Sequence, residues 1–192
     1  MGKQQEGIAE MRGLFRSILA DLRDKKIYIF LAVLIFIGSA ASSLVARDLA
    51  ETLLHFFGES VRPQIIGRSF FSLVFFLVSH NAVALFLIIF IGMILGFFPV
   101  LALFVNGLIL GAALLHSPMS WWQLFPHGIF EVPAILFAAA YGIWLGMWPF
   151  TKSKADGLRY RLKTCSLAYI RLILPLLVLA GVIEGALISQ MI

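Results

Sequence analysis

Charge is what this chain has least of. Asp, Glu, Lys and Arg make up 13% of its 192 residues, about half the ~25% of an ordinary soluble domain. Between Arg68 and Glu131 there is no charged residue at all. A soluble fold has no need of such a run, whereas several membrane spans of about 20 residues require it. Cysteine occurs once, at Cys165, which excludes an intramolecular disulfide and a Cys-rich metal site. There is no His-Glu-x-x-His pair, phosphate loop, nucleotide fingerprint or Ser/His/Asp pattern, so no catalytic constellation is recognised and none is expected. No apolar core lies near the start, so residues 1–26 are not expected to be a cleavable signal peptide. The length allows one compact membrane domain without a separate soluble enzyme.

What the chain does have is apolar sequence, 61% hydrophobic by count. The expected fold is all-α: a polytopic bundle of about five transmembrane helices plus amphipathic interfacial helices. Residues 1–26 form the first of these, because Ile8, Met11, Phe15, Ile18 and Leu22 recur at helical spacing opposite Glu10, Arg12, Arg16, Asp21 and Arg23. Residues 27–192 form a single transmembrane domain, with spans over about 27–46, 81–98, 99–115, 126–148 and 169–190. Between the first two spans, Leu49, Leu53, Phe56 and Phe57 mark an amphipathic helix broken by Gly58 and Pro63. Ser79-His80-Asn81 interrupts the apolar run of 70–98. It divides an interfacial helix from the second span, with one long tilted helix as the alternative. Pro99 opens the third span at its first turn. Trp121 and Trp122 before the fourth span, and Trp144 and Trp148 near its end, match interfacial aromatic belts. A basic connector covers 152–163.

The net charge of +5 does not point to nucleic acid, because the basic residues flank the spans. With five spans, twelve Lys and Arg fall on the side of the N-terminal arm and the 152–171 region, and three, Arg47, Arg62 and Arg68, on the other. The positive-inside rule then makes the N-terminus cytoplasmic and the chain a multi-pass protein of the cell membrane.

Four glycine pairs, Gly92/Gly96, Gly107/Gly111, Gly142/Gly146 and Gly181/Gly185, fall in four successive spans. Small residues at this spacing let helices approach backbone to backbone, for internal packing or for a homo-oligomer, a dimer by preference. Pro133 and Pro175 are expected to kink their helices. The most informative stretch is Pro126-His127-Gly128-Ile129-Phe130-Glu131-Val132-Pro133-Ala134, which puts a histidine and a glutamate on one helical face inside apolar sequence. Ionisable groups at membrane depth mark functional sites. Glu131 lies roughly 8 Å below the outer start of its span and Glu184 roughly 10 Å below the outer end of the last, at 1.5 Å per residue. With Asn106 and His127 they form an expected polar cluster in the outer half. Such a cluster serves as a structural clamp, as a pathway for a proton, ion or solute, or as a metal site with His127, Glu131 and Glu184 as candidate ligands.

The same stretch resembles the hallmark of the stage II sporulation protein M family. Asn106-Gly107 with Gly111 is similar to the family's Asn-Gly segment, and Asn81, Gly92, Gly96, Pro99 and Glu184 also fit its pattern. The resemblance implies a polytopic membrane protein with no established catalysis or cofactor. In spore-formers it implies a scaffold that coordinates two peptidoglycan-degrading partners. What it carries to this chain is the site: Asn106, His127, Glu131 and Glu184. The expected function is therefore a membrane scaffold in contact with the lipid bilayer, with itself and with cell-envelope proteins. A small transporter or channel and a metal-dependent membrane enzyme are the alternatives. A scaffold requires a sealed cluster, a transporter a continuous polar cavity, and an enzyme a bound metal.

Overall fold

A computed structural model describes residues 2–116, 121–151 and 153–189, and among these there is no strand. Eight α-helices follow in order: α1 Gly2–Asp24, α2 Lys26–Ser42, α3 Arg47–Ile65, α4 Phe70–Ile91, α5 Phe97–His116, α6 Trp121–Gly146, α7 Lys154–Ala168 and α8 Leu174–Ser189. A 3₁₀ turn, Trp148–Phe150, follows α6, and a π-helical segment, Tyr169–Ile173, joins α7 to α8. Helices α4, α5 and α6 and the continuous α7–α8 helix are long and apolar enough to cross a membrane. Helix α2 adds a fifth when taken with α1, from which it is bent by 68°. The protein is an all-α membrane bundle.

The element pairings fix the helix directions. Gly107 lies against Phe36 and Ser39, and Gly111 against Ala40 and Ser43, so α5 runs parallel to α2. Asn81 meets Glu131 and Gly92 meets Gly142, so α4 and α6 are parallel too. Gly181 and Gly185 lie against Val78 and Val74, so α8 is antiparallel to α4. Helices α2, α5 and α8 thus run one way, and α4 and α6 the other. One end of the bundle carries the basic α1 and α7; the opposite end carries α3.

Helix α6 is the central element. Half of its span is enclosed, against 22–33% for the other three long apolar helices. Ala134, Ala138, Gly142 and Gly146 recur every four residues and give it a smooth face. A Cβ on Gly142 would stand 2.6 Å from Pro99 Cγ and 2.7 Å from the Ile88 carbonyl, and one on Gly92 2.5 Å from the Gly142 carbonyl oxygen. The core around it is filled by Ile89, Leu103, Tyr141, Leu145, Ile173 and Leu177.

Several boundaries differ from the sequence expectation, each for a physical reason. The second span is not 81–98: α4 is one unbroken helix, Phe70–Ile91. Its polar trio is accommodated in place. Ser79 donates to the carbonyls of Phe75 and Phe76, the His80 ring stacks by Phe76, and Asn81 donates to Glu131. A turn over 92–96 follows, closed by Gly96 at φ +69°, so Gly92 and Gly96 lie beyond the helix and not within a span. Helix α3 runs through Gly58 and Pro63 to Ile65, and the chain turns instead at Gly67, φ +77°. Helix α6 continues through Pro133 and begins at Trp121, five residues before the expected 126. The 152–163 connector is mostly α7, which continues into the fifth apolar helix. Pro175 has no N–H to give the Arg171 carbonyl and its ring crowds that oxygen. The wider π turn at Tyr169–Ile173 lies just where that crowding must be relieved. The expected loop at 117–120 and the side chains of Trp121 and Trp122 lie outside the described residues.

Candidate functional site

At the end carrying α3, the half-buried Glu131 accepts a hydrogen bond from Asn81 Nδ2 at 3.3 Å, tying α6 to α4. Such a bond holds two helices together where no water competes. Asn106 Nδ2 turns back to the Ala102 carbonyl of its own helix at 2.8 Å. Glu184 is half-buried on α8, between Gly181 and Gly185, which face Val78 and Val74. The register therefore spreads the four expected residues along the bundle. Glu184 is level with about residue 75 of α4 and Glu131 with Asn81, an axial offset of about 9 Å. Asn106 lies opposite residue 135 of α6, roughly 6 Å along from Glu131. The backbone of His127 lies one turn from Glu131 toward the level of Glu184; its side chain is outside the described residues. Among the described residues, no three His, Cys, Asp or Glu approach closely enough to hold a metal ion.

The structure places a second polar group at the basic end. Lys25, at the break between α1 and α2, is 3% exposed. Its Nζ is 2.8 Å from Asp21 Oδ1 and 4.4 Å from the centroid of the Trp144 ring. The other Asp21 oxygen accepts from the hydroxyl of Tyr141, itself fully buried on α6. The Arg161 guanidinium covers Trp144 at 4.6 Å and donates to its carbonyl. Cys165 Sγ lies 3.7 Å from the Tyr141 carbonyl. A buried ammonium is tolerable only when paired and bonded in this way, and a desolvated cation on an indole face contributes about 2 kcal/mol. Together these contacts pin α1 and α7 to the central helix.

Beside this group lies a cavity of about 200 Å³, lined by Ser17, Asp21, Tyr141, Thr164 and Arg171 among others. Sequence reasoning missed this end because its members are separated by about 120 residues in the chain. Asp21 reads as the polar face of α1, and Lys25 as a charge bounding a span. Trp144 reads as a belt residue, but it is only 8% exposed, held under two cations. The one local signal was the i,i+4 spacing of Asp21 and Lys25.

The family model for stage II sporulation protein M matches residues 27–188. The chain belongs to that family. The match takes in every apolar helix of the bundle, together with Asn81, Asn106, His127, Glu131 and Glu184. Comparison with curated proteins and with solved structures returned no match. In this family member, the Asn81–Glu131 contact gives Glu131 a partner on a neighbouring helix.

Proposed function

We propose that the protein is a membrane scaffold that holds other cell-envelope proteins in one complex and has no reaction of its own. One observation carries this reading: the middle of the bundle is packed. Ala134, Ala138, Ala139, Leu103 and Leu145 are fully buried around α6, and cavities are found at the basic end and beside α3. A transporter needs a polar path through the same region. In the scaffold reading the Asn81–Glu131 bond is the clamp that fixes the relative tilt of α4 and α6, and Asn106, His127 and Glu184 extend the polar positions along the bundle. The glycine pairs add close backbone packing, within one copy or between two copies of a homodimer.

Chemical cross-linking in the native membrane should capture a discrete set of envelope proteins, peptidoglycan-degrading enzymes among them in a spore-former. In proteoliposomes the purified chain should pass protons and cations no faster than empty vesicles. A flux that Glu131→Gln abolishes would replace the scaffold with a transporter.

A scaffold must also present a known side to its partners. We place the N-terminus and α7 on the cytoplasmic side, from the twelve-to-three distribution of basic residues. In a Cys165→Ala background, a membrane-impermeant thiol reagent should label Ser120→Cys from outside and spare Lys154→Cys. The reverse pattern would turn the molecule over.

A further inference from the structure

We propose that the cavity between α1, α6 and the α7–α8 helix binds the phosphoethanolamine headgroup of a membrane lipid. The hydrogen-bond inventory of its walls is what selects this chemistry. Ser17 Oγ already donates to the Leu14 carbonyl at 2.7 Å, and Thr164 Oγ1 to the Tyr160 carbonyl at 3.0 Å. Both hydroxyls therefore face a ligand as acceptors. The Asp21 carboxylate adds further acceptor lone pairs beyond those used by Lys25 and Tyr141. Three acceptors around one space suit a primary ammonium with its three donors. A trimethylated ammonium has none to offer. On the same wall, Arg171 is an exposed guanidinium, whose planar fork suits a phosphate. Ammonium and phosphate held two carbons apart satisfy both halves of the cavity at once. Its ~200 Å³ is below the usual range for drug-sized ligands, about 300–1,000 Å³, and suits a headgroup.

The surroundings favour a lipid over a free phosphoethanolamine. Met11, Phe15 and Leu19 form an exposed apolar row on α1, 54–67% accessible, which sets that helix at the headgroup layer. Arg171 stands at the start of the apolar part of a 33-residue helix that is longer than the ~30 Å hydrocarbon core. From Arg171, the exposed Pro175, Val178 and Val182 continue along one helical face. This apolar track leads from the headgroup toward mid-membrane, where acyl chains would lie.

The test uses full-length protein in detergent, with phosphatidylethanolamine, phosphatidylcholine and phosphatidylglycerol of identical chains, read by native mass spectrometry. Phosphatidylethanolamine should be retained about tenfold better than either other lipid, the worth of one hydrogen bond to a charged group. Thr164→Val, which removes an acceptor for the ammonium, should reduce that preference to near parity, and Arg171→Ala should lower the retention of all three lipids, which share the phosphate. Arg159→Ala, on the exposed face of α7, should leave it intact. Thr164→Val changes almost no volume, and equal melting of the variants in lipid-free detergent keeps a folding defect from imitating the loss. Equal retention of all three lipids would overturn the proposal, as would phosphatidylglycerol binding as well as phosphatidylethanolamine. A preference that survives Thr164→Val, lipid retention that Arg171→Ala leaves undiminished, or a preference that Arg159→Ala removes would do the same. Full displacement by soluble phosphoethanolamine would reject the lipid as the ligand. None of these readouts depends on whether the protein scaffolds a complex.

Discussion

Gly142→Leu should lower the detergent melting temperature of this protein severely, and Gly38→Leu should hardly change it. The two glycines sit in comparably apolar helices, so intrinsic helix propensity favours leucine at both. They differ in what a side chain would meet. At Gly142 the first carbon added lies within 2.6–3.3 Å of the Pro99 ring and of backbone atoms at Ile88 and Ile89. None of these can rotate away, so α4, α5 and α6 must separate. Overpacking a core usually costs about 1–3 kcal/mol, and a rigid backbone neighbour puts this site at or above the top of that range. At Gly38 nothing lies within 4 Å, and the added side chain enters lipid. Gly185→Ala forms an intermediate case, since its nearest neighbour is Val74 Cγ2 at 2.5 Å, the end of a side chain that can turn. Equal melting of the Gly142 and Gly38 leucine variants would mean that α6 is not the central packing surface.

The apolar helices could be read from the sequence because lipid imposes one simple requirement, an uncharged stretch of the right length. The expected 99–115 span falls within α5, Phe97–His116, and the expected 126–148 span overlaps α6, Trp121–Gly146. Where the reading went astray, a local signal met a non-local answer. Ser79-His80-Asn81 looks like a break until Asn81 finds Glu131 fifty residues away. Lys154–Ala168 looks like a basic linker, yet Leu158, Leu162, Cys165 and Ala168 recur on one face and pack against α6. Glu131 was legible as a polar position in apolar sequence, and the structure gives it the bond from Asn81. The Asp21–Lys25–Tyr141 group was not, because its meaning lies in the 68° bend that brings α1 under the bundle. No periodicity encodes that bend.

Glu131→Ala and Asn81→Ala should each destabilise the protein and be strongly coupled. Each leaves the other side chain half-buried with a bond removed, at a cost of about 1–3 kcal/mol. Together they should cost little more than the worse of the two, a coupling within the 0.5–3 kcal/mol expected for direct contacts. The pair Glu131 and Glu184 tests whether the polar layer extends to α8. Their axial offset of about 9 Å is near the distance beyond which substitutions simply add, about 7–10 Å. At that offset the clamp reading assigns their coupling to a relay. His127 is the relay of the clamp reading, because it stands four residues from Glu131 in the chain and its backbone lies within about 3 Å of the level of Glu184. In the clamp reading, Glu131→Ala and Glu184→Ala are non-additive in the parent and become additive once His127→Ala is present. Additivity already in the parent would confine the polar contact to α4 and α6 and remove Glu184 from the clamp. Non-additivity that persists without His127 would mean that the two carboxyl groups meet by themselves, with one shared proton in place of the imidazole between them.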